Sequence, residues 1–278
     1  MKWQGVLTIA LLTVTGAMGL CQQGGQKQQG EDLYREYGTT EEEVKQNLAR
    51  MHPKDRAFLE LFWMARKVWR KDEPKGKLTD YCRRELRPEE KELIEKLIAF
   101  AKQHENDWVD GNYRGYRAKA IMILANHPHV CMIDALRELA WSPPLKDERP
   151  WRYRLNVQIE YEVNTEAVIA LHRIADERVI PLLIELLEHP GGKVRCNVEL
   201  CLGKLLGVWF RAKAWEKLEE MRKGGKLTRE EYVKVYVRER ENMENWREVK
   251  AMYERWWQEN KGKVKIRWGE AWVWVCPY

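Results

Sequence analysis

The chain holds no C-x-x-C pair, and its six cysteines, Cys21, Cys82, Cys131, Cys196, Cys201 and Cys276, are too scattered for a dense disulfide framework. The common zinc modules are therefore excluded. There is no Gly-rich phosphate loop, no G-x-S-x-G elbow and no H-E-x-x-H helix, so nucleotide-binding, serine-hydrolase and zinc-protease signatures are all missing. Carboxylates are plentiful but spread over every helical surface, and no acid/base pair stands out. No catalytic, cofactor-binding or metal-ligating residue is expected, and the chain reads as a non-enzyme. His127-Pro128-His129 with Cys131 has ligand-type side chains but occupies a turn between helices. Asp107-Trp108-Val109-Asp110-Gly111-Asn112 fails as a calcium loop, because with Gly111 sixth the third and twelfth places fall on Trp108 and Arg117.

What is present is a chain of 278 residues, 44% hydrophobic and 33% charged, with a mean hydropathy of −0.65, enough to bury a core beneath a polar surface. Trp is abundant, 14 against only 4 Phe. Indoles suit half-wet contact sites as well as packing between helices. The net charge is +6, and most of the excess lies from Arg211 to Tyr278, where 17 Lys or Arg meet 12 Glu and no Asp. Those charges interleave in sign, the pattern of a solvated helix rather than a nucleic-acid surface.

Lys2, the apolar stretch Val6 to Val14 and the small-x-small triplet Ala17-Met18-Gly19 form the three parts of an export signal over residues 1–19. The apolar stretch falls well short of the roughly 20 residues that span a bilayer. Cleavage after Gly19 would leave Leu20-Cys21 at the new terminus. A lipid-anchored Cys21 is the alternative, although Leu20 and Met18 fit that pattern poorly. Residues 20–38 read as a flexible Gln/Gly-rich linker. The expected location is periplasmic or extracellular, with membrane contact only through an acylated Cys21.

Beyond the linker, residues 39–260 read as helical. Pro53 opens a helix carrying Phe58, Leu61, Phe62 and Ala65; Pro88 opens another that runs to about Gln103 with Leu93, Ile94, Leu97, Ile98 and Ala101 on one face. From Val163 to Gly207 one helix-pair pattern is written almost twice. Val163-Asn164-Thr165-Glu166-Ala167-Val168 returns as Val194-Arg195-Cys196-Asn197-Val198-Glu199, 31 residues on. Tyr116-Arg117-Ala118-Lys119-Ala120-Ile121 aligns with both, which places the clearest repeats over 116–207. Trp141 to Glu162 interrupts them, and 152–162 fits a helix or a strand. A long helix is expected from about Thr228 to Asn260. Residues 261–278 read as a β-hairpin turning at Gly269-Glu270, with Arg267 facing Trp272 and Lys265 facing Trp274.

Val194-Arg195 at a helix start, Leu202-Gly203 in its middle and Asp176-x-Arg178 before Ile180-Pro181 resemble the HEAT-repeat family, in its short bacterial form. The resemblance implies an all-α fold, an α-solenoid of antiparallel helix pairs with the hairpin at its end. It implies that Arg117, Asp176 and Arg195 are structural, tying helix ends together. Asn164 replaces the Arg in the middle copy, so the ladder should break there. It also implies that the second helices line an inner surface, where Met122, Ile169 and Leu200 take a position that is normally polar, with Ala118, Thr165 and Cys196 one turn earlier.

An exposed apolar stripe marks a contact site. The C-terminal helix, a protein or peptide partner, or a small apolar ligand could cover it. Trp272, Trp274, Lys265 and Arg267 form a second candidate platform. The functional expectation is an exported protein-binding scaffold in the bacterial envelope. The alternative, from relatives of these short repeats that attach bilin pigments, is an enzyme or enzyme accessory of the lyase type.

Overall fold

A computed structural model of the chain describes residues 46, 49–69, 78–109, 112–145, 161–174 and 176–263. Two compact units divide between Arg56 and Ala57. In the first, the longest described stretch is the opening of helix α1 (Pro53–Trp69), which begins on the proline the sequence suggested.

Eleven α-helices make up most of the described residues. After α1 come α2 (Leu78–Arg83), α3 (Pro88–Lys102), α4 (Tyr116–Asn126), α5 (Ile133–Ala140), α6 (Glu162–Arg173), α7 (Val179–Glu185), α8 (Gly192–Leu206), α9 (Lys213–Lys223), α10 (Arg229–Glu241) and α11 (Met243–Asn260). The described strands are a two-residue ladder, β1 (Trp108–Val109) and β2 (Asn112–Tyr113), paired antiparallel where the calcium-like motif stands. No described helix is long and apolar enough to cross a membrane.

Local chemistry sets the ends. Pro88 lacks only a donor that the first turn leaves idle, Glu89 and Glu90 favour the positive end of the α3 dipole, and Lys102 favours the other end. Glu90 is fully buried and is held by Arg84, by the Arg87 backbone N–H at 2.9 Å and by Trp69 Nε1 at 3.1 Å. Burial works against its charge, yet the bonds from Arg84 and Arg87 outweigh it and hold the carboxyl at about 2. Helix α8 stops at Gly207, whose left-handed φ of 71° suits glycine and lets its N–H close on Gly203 O at 2.9 Å.

Helices α4, α6 and α8 lie side by side, α5 packs on α6, and α7 packs on both α6 and α8. Their apolar stripes merge into one core, with Ile121, Leu124, Leu136, Leu139, Leu171, Val198 and Leu202 each at most 2% exposed. A single unit of this kind exposes half its stripe, so each helix stays dry only through its neighbours.

The structure corrects one boundary. The expected helix from Thr228 to Asn260 is two helices, parted at Asn242 (φ −71°, ψ 108°). The side chain of Asn242 accepts the Glu244 N–H at 3.0 Å and starts α11, a capping role that asparagine fills well. The hairpin expected over 261–278 and the insertion residues 152–160 lie outside the described residues, apart from 261–263, which form a turn.

Candidate functional site

Each of the three aligned helices starts with a buried polar side chain that reaches back to the end of the preceding segment. Arg117 Nε donates to Ala101 O at 2.7 Å, at the end of α3, and its backbone N–H reaches Asp107 Oδ1 at 3.0 Å. Arg195 donates through Nη1 to His189 O and Pro190 O, and through Nη2 to Arg240 O at 2.8 Å. In the middle copy Asn164 Nδ2 donates to Ala140 O at 3.0 Å and Ser142 O at 2.7 Å, just past the end of α5. The expected break in the ladder therefore does not occur. A shorter side chain performs the same task, because the carbonyls come close enough for an amide.

Asp176 closes the turn between α6 and α7. Its carboxylate accepts from the Arg178 backbone N–H at 3.0 Å, Arg178 Nε at 2.8 Å and Arg83 Nε at 3.1 Å. Burial opposes the charge, but the bonds from Arg178 outweigh it and the carboxyl stays below its ordinary range. Asp107, read only as part of a failed calcium loop, is fully buried beneath Arg117, and burial raises its pKa. The signal for it was available, since a buried Arg at a helix start needs an acidic or carbonyl partner upstream. Cys201 is fully buried in the core, and Cys196 Sγ lies 3.9 Å from Tyr236 Oη. His129 Nδ1 accepts the Cys131 N–H at 3.1 Å, and His127 stacks on Trp69 with ring centroids 4.2 Å apart.

Met122 on α4, Ile169 on α6 and Leu200 on α8 occupy equivalent positions on adjacent helices. Met122 and Leu200 are half-buried, whereas Ile169 is only 7% exposed, so the ridge is open at its two ends. The C-terminal helix α11 packs on α7 and the 186–188 turn, and its Trp246, Val249, Tyr253 and Trp257 are buried. It is α10 that meets α8, with Tyr236 Oη 3.9 Å from Cys196 Sγ. Beside Leu200, the Trp209 indole fills the place a side chain at Gly203 would take. Lys265, Arg267, Trp272 and Trp274 lie outside the described residues.

Sequence reasoning placed Thr165 beside the ridge but missed the buried polar atoms of His172 and Asn197. Thr165 Oγ1, His172 Nδ1 and Asn197 Oδ1 are buried and have no hydrogen-bond partner among the described residues. Asn197 Nδ2 donates to Lys193 O on its own helix at 2.9 Å. Burial, reinforced by the charges of Lys204 and Arg173, pulls His172 down to about 4, so its ring is neutral at physiological pH. Burial together with the Glu162 charge pushes Glu166 up to about 7. Burial likewise raises Glu199 to about 7. Among the described residues, no group of three His, Cys, Asp or Glu is placed to hold a metal ion.

Helices α6 and α7, the turn that Asp176 closes and the 186–188 turn together make one structural unit of two short helices. The family model described as PBS lyase HEAT-like repeat matches residues 163–189, the same unit. Residues 163–189 are a HEAT-like repeat. Arg195 and Arg117 then stand at the starts of the flanking helices that align with this repeat, and Asn164 stands at its own start. Neither a curated protein nor a solved structure matches the chain.

Proposed function

We propose that the chain is a scaffold whose stacked HEAT-like helix pairs form a short solenoid that binds another macromolecule across the α4, α6 and α8 face. The observation that carries this reading is the ridge itself. Three equivalent positions hold Met122, Ile169 and Leu200, two of them half-exposed. Repeat stacks use such continuous faces for partners rather than for chemistry. The leader-like residues 1–19 support a location outside the cytoplasm, with Cys21 as an alternative lipid anchor. Residues 265–274 offer a second contact platform.

The test is photo-crosslinking in an envelope fraction with the full chain, comparing Met122→Glu, Leu200→Glu and Trp272→Ala. Loss of the same crosslinked band in both ridge variants, with melting unchanged, supports the face as the contact. An unaltered band in both removes it. Mass spectrometry of the exported protein checks the leader, expecting a chain that begins at Leu20 or an acylated Cys21. The name of the matched repeat family keeps a lyase accessory as the second reading, and retention of the crosslink to a chromophore-bearing acceptor alone would favour it.

A further inference from the structure

Two inter-helix turns of the repeat region are closed in the same way, by an imidazole. Between α4 and α5, His129 Nδ1 accepts the Cys131 N–H at 3.1 Å; between α7 and α8, His189 Nδ1 accepts the Gly191 N–H at 3.0 Å. Each ring does what an Asx side chain does, accepting a backbone N–H two residues on. Asn242 performs that task without a titratable group, holding the Glu244 N–H at 3.0 Å. What the histidines add is sensitivity to protons. An Nδ1 that accepts must be bare, so both rings are neutral in this arrangement. His129 Nε2 then donates to Arg84 O at 2.9 Å.

Protonation costs each turn twice. The new N–H faces a donor, and the new charge lies beside an arginine. His189 is 1% exposed, and its own carbonyl accepts Arg195 Nη1. His129 is 8% exposed, and the charges of Arg84 and Lys91 oppose a further cation there. The carboxylates near the rings are engaged: Glu90 by Arg84 and Arg87, Glu188 by Lys250 at 2.6 Å, and Glu241 by Arg240 at 2.8 Å. Glu95 and Lys91 act on Cys131, and His127 shares the first turn, its Nδ1 3.1 Å from Tyr81 Oη. The Trp141 and Tyr161 rings flank His189 at 5.3 and 5.7 Å. Burial, with the Arg195 charge adding to it, pulls His189 down to about 4, and burial lowers His129 as well. A base lowered by folding adds stability that is complete above its ordinary 6.5 and is lost as pH drops toward the lowered value.

We propose that His129 and His189 make the repeat stack acid-responsive: neutral, they hold the α4–α5 and α7–α8 turns closed, and protonated, they release both turns while the apolar core between the helices stays packed. Release loosens the chain at Val130 and Gly192 without exposing Leu124, Leu139, Leu171 or Leu202. The device is independent of what the α4, α6 and α8 face binds.

Total stability is a poor readout, because Glu166 and Glu199, pushed up to about 7, act in the opposite direction over the same acid range. The test is hydrogen exchange on the full chain at about pH 7.5 and about pH 5, each rate divided by the intrinsic rate at that pH. A fall from 6.5 to about 4 makes opening of the 189–192 turn roughly 30-fold easier at about pH 5. The 129–132 turn should lose protection in the same direction, whereas 121–124 and 198–202 should keep theirs. His129→Asn and His189→Asn retain an acceptor for the N–H and cannot titrate. Each should abolish the pH effect in its own turn and leave the other turn responsive. Imidazole nitrogen NMR on the wild-type chain serves as the readout independent of any variant's folding, and both rings should carry a bare Nδ1 at neutral pH. Unchanged protection in either turn, a uniform loss that includes the core, a pH effect that persists in the Asn variants, or an Nδ1 protonated at neutral pH overturns the proposal.

Discussion

Truncating Arg195 should destabilise the repeat region as strongly as the loss of a core side chain. Its guanidinium is fully buried and joins three segments, the 189–190 turn, the start of α8 and the α10–α11 junction. It also lies 5.6 Å from the centroid of the Trp246 ring. Arg195→Ala leaves the carbonyls of His189, Pro190 and Arg240 without this donor. Hydrogen bonds from a charged donor each contribute about 1.5–3 kcal/mol, but removing the charge also removes its own cost of burial. The expected net loss is therefore about 3–5 kcal/mol. The bond to Glu241 adds little, because that carboxylate is about half exposed and 3.5 Å away.

At about 2–4 °C per kcal/mol for a unit of this size, the melting midpoint should fall by about 6–20 °C. Thermal and urea unfolding followed by circular dichroism measure it. Arg195→Lys separates geometry from charge. An ammonium is a point donor that cannot span His189 O and Arg240 O as the planar fork does, so Lys should recover less than half of the loss. Amide exchange should quicken across 239–246, where the junction loses its tie. A loss under about 1 kcal/mol in Arg195→Ala, or a Lys variant as stable as the parent, would refute the stitching role.

Asn164→Ala removes the same kind of tie in the matched repeat and should cost about 2–4 kcal/mol in urea unfolding, since two buried carbonyls lose their donor; a change within noise would show that water replaces the amide. Glu166→Gln should change the pH dependence of stability. A carboxyl raised from 4.5 to about 7 adds stability below the ordinary carboxylate range, and that stability is lost as pH rises through about 7. The Gln variant should accordingly be more stable than the parent at pH 8.5, by about 1–2 kcal/mol after allowing for partial solvent access, with the gap closing by pH 5. An equal offset at both pH values would mean that the carboxyl titrates normally. Gly203→Ala should displace the Trp209 indole, seen as a red shift and stronger iodide quenching, while net stability changes by under about 1 kcal/mol because alanine favours the helix. Unaltered emission would show that the ring was never seated there.

The helix pairs were legible because burial writes itself into spacing. Val163 and Val194, or Leu171 and Leu202, recur at one period because each must face a neighbouring helix. Capping residues were legible for the same reason, since Pro53 and Pro88 act within one turn of where they stand. The Asn242 break was not. Nothing in Arg238-Glu239-Arg240-Glu241-Asn242-Met243-Glu244 forbids a continuous helix, and the chain turns there because carbonyls from α10 are needed elsewhere. Arg240 O accepts both Arg195 Nη2 and Trp246 Nε1. That demand comes from a residue 45 positions away.

The candidate site divides along the same line. Met122, Ile169 and Leu200 can be found by alignment, but whether each is covered depends on packing that no local pattern records, so Ile169 proves buried where a stripe suggested exposure. Asn164 shows the reverse error. A residue read as a gap in a family pattern keeps the pattern's chemistry, because what the fold requires at that place is a donor facing the end of α5 and not a guanidinium as such. Function in such a stack follows the same rule. On the scaffold reading, what the face binds is set by the surface left over after the helices have packed, and along the ridge that surface is Met122 and Leu200.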